Sequence, residues 1–461
     1  MNKYTRILAL SFWVLLTALA CNRDDISFEH PTQNLRFSAD TVFLDTIYNQ
    51  VRSETYAVKV YNNEDHDILI PKIFLGKGSA SPYRINVDGK PGSTFSDIPL
   101  RKKDSLYIFI EIAPVATAPE AIAEDQINFE SSAGLQQVTL FSVVEDAEFF
   151  IENKSNPNIL NTDTKWTGEK AKIIFGNLTL AKGKRLQIEA GTKVYFHKNS
   201  GLTIAENAEL QVNGTLGKEI IFRGDRNDTR YDTIPKNWQG ISMERNSILK
   251  MNYAKVMGWT VGLTLNETTA YIENSVFHTH QEFGILALNS VVSARNLVMN
   301  NSGSADFAIF KGGEYSMIHC TLANYWNFNS SLPALGLYAT NEYNNGTSVE
   351  EAPLKLMIKN SIIYTEKENA ITFKPTPGQI FNYSFTNSLV KYGSSASYAL
   401  DAASLKNQDP LFQNYFTHKM NLKLKPDSPA KGKGDPVIAG SVPLDILQMP
   451  RTSNPSMGAY Q

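Results

Sequence analysis

Between Leu35 and about Ala147, apolar and polar residues alternate with a period of two. Leu35-Arg36-Phe37, Val42-Phe43-Leu44, Tyr56 to Tyr61, Ile68-Leu69-Ile70, Leu106 to Ile110 and Val138 to Phe141 each present one apolar face. Turn formers such as Asn62-Asn63-Glu64-Asp65, Asp88-Gly89 and Pro91-Gly92 separate them. Period two, β-branched and aromatic enrichment and frequent turns predict an antiparallel β-sandwich over residues 35–147. From about Lys172 the pattern changes to short apolar-x-apolar pairs: Leu178/Leu180, Leu186/Ile188, Val194/Phe196, Leu202/Ile204, Leu210/Val212 and Ile220/Phe222. A single rung of this size cannot bury a core of its own, so successive rungs must stack.

The later half repeats on a longer period. Ala254, Asn274, Asn296, Cys320, Asn360 and Asn387 each precede a short apolar strand, at steps of 20, 22, 24, 40 and 27 residues. The shorter steps suit one coil of a parallel β-helix. The step of 40 predicts either a loop or a further coil. Stacked side chains of Asn274, Asn296, Asn360 and Asn387 can hydrogen-bond along the axis and satisfy turn backbone groups that burial would leave unpaired. The fold class predicted is all-β: an Ig-like β-sandwich, a linker or cap over 148–171, a right-handed parallel β-helix over 172–400 and a C-terminal segment over 401–461.

The first residues read as an export signal. Lys3 and Arg6 precede an apolar run, Ile7 to Ala20, that ends in small residues before Cys21. At about 14 residues this run is short of the ~20 needed to cross a bilayer. The stretch resembles a bacterial lipobox, with Ala18 where Leu is preferred; that resemblance implies a signal over 1–20 and lipidation of Cys21. An ordinary cleaved signal and an uncleaved anchor are the alternatives. Residues 21–34 form a polar tether, and Asn22-Arg23-Asp24-Asp25 resembles the surface-export signal of Bacteroidetes lipoproteins. The implied location is the outer membrane, held by lipid on Cys21, at the cell surface or on the periplasmic face. Cys320 is the only other cysteine, so no disulfide framework is expected and a small buried apolar role suits it. With 44 basic and 46 acidic residues and no basic run, nucleic acid is a poor partner.

Two further resemblances follow. Phe37-Ser38-Ala39-Asp40-Thr41-Val42 is similar to Ig-like units at the front of Bacteroidetes surface lipoproteins. Residues from about 172 onward resemble β-helix lipoproteins with a choice-of-anchor Q ending. The ending is carried by Asp409-Pro410-Leu411-Phe412, Asp427-Ser428-Pro429-Ala430, Gly434-Asp435, Asp445, Pro450-Arg451 and Gly458-Ala459-Tyr460. Gly432 and Gln448 depart from it, standing where that family commonly has Asp and Gly.

Several groups could carry chemistry. The loop from Arg223 to Asp232 concentrates Asp225, Arg226, Asp228, Arg230, Tyr231 and Asp232 before Trp238, and could hold a sugar or a cation. Its spacing is not that of an EF-hand; no metal site is expected, with Ca²⁺ the cation to consider. Mutual pairing of Arg and Asp at the surface is the plainer reading. His278 and His280 read as an exposed turn pair rather than ligands. Tyr325 and Trp326, with Phe328 and Tyr338 among asparagines, suit either sugar stacking or packing under a loop. Asn161-Thr162-Asp163 imitates a hydrolase motif by chance. Asp40, Asp45, Asp104 and Asp232 begin triplets resembling Bacteroidetes O-glycosylation sites. The function expected is a surface-displayed, non-catalytic scaffold binding glycan or an envelope component. The alternatives are a lyase or hydrolase of an acidic polysaccharide and a structural partner of an outer-membrane protein complex.

Overall fold

The computed structural model describes residues 27–461 apart from 49–52, 114–119, 133, 154–156, 227–228, 330, 395 and 452–453. Cys21 with its signal and the start of the tether, and Asp228, lie outside the described residues. The chain forms two compact units that divide between Val144 and Glu145.

The first unit is a sandwich of two five-stranded sheets. One orders Arg36–Phe37, Tyr56–Tyr61, Ser105–Ile112, Tyr83–Val87 and Lys90–Gly92; the other orders Thr41–Tyr48, Gly134–Glu145, Glu120–Ser131, Ile68–Leu75 and Thr94–Leu100. Neighbours such as Val58 and Ile108 pair antiparallel. The alternation puts Val58, Val60, Ile70, Ile73, Ile108, Ile110, Phe129 and Leu140 into the space between the sheets, all fully buried.

The second unit is a parallel β-helix with three strand columns. The first runs from Ala147–Ile151 through Val276–His280 to Leu405–Lys406 as an 11-stranded parallel sheet. The second and third are joined into one sheet by Phe283–Arg295 and Ala305–Ile318, each of which turns the corner between them. Residues 148–171, expected as a linker or cap, lie within the first coil: Ala147–Ile151, Ile159–Leu160 and Thr164–Trp166 each pair parallel with the next coil. Inward positions overlie one another, as in Val194, Phe222, Val256, Phe277, Met299, Leu322, Ile363 and Val390. All eight are fully buried, so each coil finds in its neighbours the apolar contact that it cannot supply alone.

The long step is one coil, not two. Thr321–Asn324 pairs directly with Ile362–Thr365, and the coil still has its second and third strands, Leu335–Thr340 and Leu354–Lys359. The extra length goes into residues 325–334 and a hairpin of Glu342–Asn344 with Val349–Glu351.

The asparagines do stack. Asn296 Nδ2 donates to Asn274 Oδ1 at 2.9 Å, and Asn274 Nδ2 to Asn252 Oδ1 at 2.9 Å. Asn274, Asn296, Asn360 and Asn387 all take the left-handed conformation, with φ from 46° to 50°, which Asn tolerates better than most residues. The register corrects the expected alignment by one residue. Lys255 pairs with Val276 and Thr321 with Ile362, so the positions equivalent to Asn274 and Asn360 are Tyr253 and His319, not Ala254 and Cys320. Tyr253 and His319 share the left-handed φ, 47° and 52°. Ala254 and Cys320 instead belong to a second ladder, in which Ser275, Ser361, Ser388 and Ser404 hydroxyls accept from the backbone N–H one coil below.

The C-terminal segment lies along this edge as a strap. Asn296, Asn360 and Asn387 donate to the carbonyls of Leu444, Asp435 and Lys433. Gly458 donates its N–H to Asn360 O at 2.7 Å, and Ala459 its N–H to Thr321 Oγ1 at 3.0 Å. Beneath it Val298, Ala323, Ile362 and Leu389, outward residues of the first column, pack against Phe412, Leu424, Ile446 and Met457.

Candidate functional site

The charged loop after Phe222 pairs its charges within itself and with the preceding coil. Arg223 pairs with Asp232 at 2.8 Å and Asp225 with His197 at 2.7 Å. The Arg226 guanidinium lies over Tyr231, 4.1 Å from the ring centroid. Thr229–Thr233 form a 3₁₀ turn, fastened by Asn237 Nδ2 donating to Tyr231 O and Ile234 O. Arg230 is exposed. Among the described residues, no group of three or more His, Cys, Asp or Glu is placed to hold a metal ion.

Trp238 is not the aromatic platform that its position beside this loop implied. It is fully buried, stacked on Phe196 with centroids 4.0 Å apart and against Trp259 at 5.4 Å, and its Nε1 donates to Met257 O. The loop ends where the second column begins, and a register irregularity between Trp238 and Gly240 breaks the alternation, so the indole joins Ile241 and Met243 in the core.

The His278/His280 pair is likewise not an exposed turn. Thr279 has φ 64°, which breaks the alternation and sends His280 into the interior beside Trp259, ring centroids 4.7 Å apart. Burial pushes both imidazoles down, His278 to about 4, so both are neutral.

The aromatic group of the long coil divides in two. Tyr325 is buried under the strap, stacked on Tyr415 at 4.1 Å, and offers no face to a ligand. Its cover comes from residues some ninety positions later, which local sequence does not announce. Trp326 and Phe328 remain outside, 5.1 Å apart, with Phe328 48% exposed; Trp326 Nε1 donates to Asn329 O.

Tyr338 belongs to a larger surface on the outward side of the second column. Leu337 and Ala339 face the core, so Tyr338 faces out, in register with Ala308 and Leu286 on the preceding coils. Phe310 stands 5.1 Å from Tyr338, Phe283 6.1 Å from Phe310, and Tyr343 of the inserted hairpin 6.2 Å from Phe310. Ala305 and Ala308 pack among these rings. All four rings are partly exposed. Lys374 sits 5.8 Å from the Tyr338 centroid, while burial raises the Tyr338 hydroxyl above its usual range. Thr264 and Thr372 flank the row in the register of Leu286 and Tyr338. This is a rigid shelf of partly exposed rings bordered by hydroxyl and amine groups. Aromatic faces of this kind offer large contact area with little side-chain entropy to lose. Sequence reasoning named Tyr338 but missed Phe283 and Phe310, whose outward placement depends on the corner-turning strands.

No known protein family matches the chain, and no characterised protein does. Among solved structures, a PapD-like domain of human CEP192 is 12% identical, covering 27% of this chain and 98% of its own at a TM-score of 0.18. The E. coli chaperone DraB is 14% identical, covering 24% and 54% at 0.17. A family 123 glycoside hydrolase from Clostridium perfringens is 10% identical, covering 29% and 30% at 0.19. Likenesses of this size carry no argument about function.

Proposed function

We propose that this chain is an exported lipoprotein whose β-helix presents the Phe283, Phe310, Tyr338 and Tyr343 shelf to a glycan and binds it without cleaving it. The observation that carries this reading is the row of partly exposed rings on consecutive coils, 5.1 to 6.2 Å apart. Sugars present apolar C–H faces to such rings and hydroxyls to the groups around them, here Thr264, Thr372 and Lys374. The ladder and core beneath fix the backbone, so little ordering is left to oppose binding. The lipobox-like Cys21 and the acidic residues after it support an anchored, surface-displayed protein of Bacteroidetes type, with the sandwich as spacer and a choice-of-anchor Q-like tail as the strap.

A glycan array tests this. The full mature chain is expected to retain a defined set of polysaccharides, and Phe310→Ala with Tyr338→Ala to lose them at unchanged melting temperature. Retention by that double variant would overturn the assignment of the shelf. New ultraviolet absorbance from unsaturated uronates would replace binding with lyase chemistry.

A further inference from the structure

Where the strap leaves the asparagine ladder, a cleft of about 340 Å³ opens. Two outward columns line its floor over three coils: Asn252, Glu273 and Arg295 on one, Tyr253, Asn274 and Asn296 on the other. The far wall is the strap around Leu444 and Gln448.

The ladder itself says what this cleft would accept. At Asn296, Asn360 and Asn387 the side-chain N–H groups meet a carbonyl oxygen of the strap. Asn274 donates down the stack in the same way as Asn296, but among the described residues no strap carbonyl reaches it. Of the ladder asparagines Asn274, Asn296, Asn360 and Asn387, Asn274 is thus the one whose amide meets no strap carbonyl among the described residues, and the cleft lies over it. Arg295 adds a second donor. Its Nε is buried without a partner, and its Nη1 stands 3.7 Å from Glu273. Glu273 can accept hydroxyl hydrogens, and the Asn252 amide borders the same floor.

Gln448 lines the same cleft from the strap side. It holds a left-handed backbone, φ 61°, that a long side chain rarely adopts. Its amide reaches the Tyr253 hydroxyl across the cleft.

We propose that this cleft binds one N-acetylated hexosamine residue, its acetamido carbonyl accepting from Asn274 where the strap carbonyl would otherwise lie, and its hydroxyls meeting Glu273, Arg295 and Gln448. The volume suits a single sugar, and the polar lining suits hydroxyls better than peptide side chains. This site is separate from the aromatic shelf and does not depend on it.

Ligand-observed saturation-transfer NMR on the full chain, with N-acetylglucosamine, glucose and N-acetyl-dialanine amide as probes, tests it. N-acetylglucosamine, with its about 15 non-hydrogen atoms, is expected to bind with a dissociation constant of about 1 mM. Glucose, lacking the amide, should bind about tenfold more weakly or worse. Gln448→Gly should weaken binding about fivefold while melting no lower than the parent, because glycine accepts that φ freely. Arg295→Gln should weaken it similarly. Phe310→Ala with Tyr338→Ala should leave it intact. Equal response to glucose, unchanged binding in both cleft variants, loss in the shelf variant, or tighter binding of the dialanine amide would each overturn the proposal.

Discussion

Arg451 donates from its guanidinium to Asn296 Oδ1 at 2.8 Å, across 155 residues of sequence. The same group donates to Gly458 O at 3.2 Å. Burial holds this arginine below its usual range, at about 10, with the Asp445 charge opposing the shift. A ladder asparagine and a strap arginine thus fasten the C-terminal segment to the coil. Asn296→Ala removes the acceptor, the donor to Leu444 and one step of the stack. It should lower unfolding stability by about 3 kcal/mol, measured by denaturant titration. A loss under about 0.5 kcal/mol, the range of an ordinary surface substitution, would mean that the strap is not held there.

His319 makes the strap sensitive to acid. Asn360 Oδ1 accepts from Asp435, so its Nδ2 must donate to His319 Nε2, and His319 Nδ1 faces Gly458 O as the donor. Only the neutral imidazole fits. Burial, then the Arg451 charge, pushes its pKa down to about 3, against an unfolded value of about 6.5. The unfolded chain therefore binds the extra proton, and stability is full above about pH 6.5 and lost as pH falls toward about 3. His319→Asn restores the ladder residue at a position already left-handed and should flatten this part of the melting-temperature profile. An identical acid slope in the variant would place the sensitivity elsewhere, with His278 the next group to test.

Trp238 separates packing from recognition. As a core residue stacked on Phe196, its replacement by Ala should cost about 3–5 kcal/mol, read as a large drop in melting temperature. A variant with unchanged melting and lost glycan binding would restore the sugar-platform reading of the loop.

Cys21→Ala should release the protein from membranes into the soluble fraction, with the folded domains unaffected. Continued retention in washed membranes would contradict the lipid anchor.

The stacked-coil fold was legible because its cause is local: apolar pairs such as Leu202 and Ile204 recur, and asparagines mark the left-handed turns between strands. The exact register was not. Tyr253 and His319 occupy the ladder position, yet neither residue type advertises a positive φ, so sequence alone favours their small neighbours Ala254 and Cys320 there. The aromatic residues show the same limit. Tyr325 and Tyr338 look alike in sequence, and only the arrival of Tyr415 and Phe412 from the strap buries the first and leaves the second facing outward. Dense charge at Asp225 and Asp232 suits either recognition or mutual pairing in sequence, and the fold pairs these two with His197 and Arg223.

The glycan-binding account is tested most directly by equilibrium titration of one retained polysaccharide against the parent and Tyr338→Ala, at matched melting temperature. Loss of one stacking ring should weaken binding by about 1 kcal/mol, roughly fivefold. An unchanged dissociation constant, or no saturable binding of any polysaccharide by the parent, would contradict it.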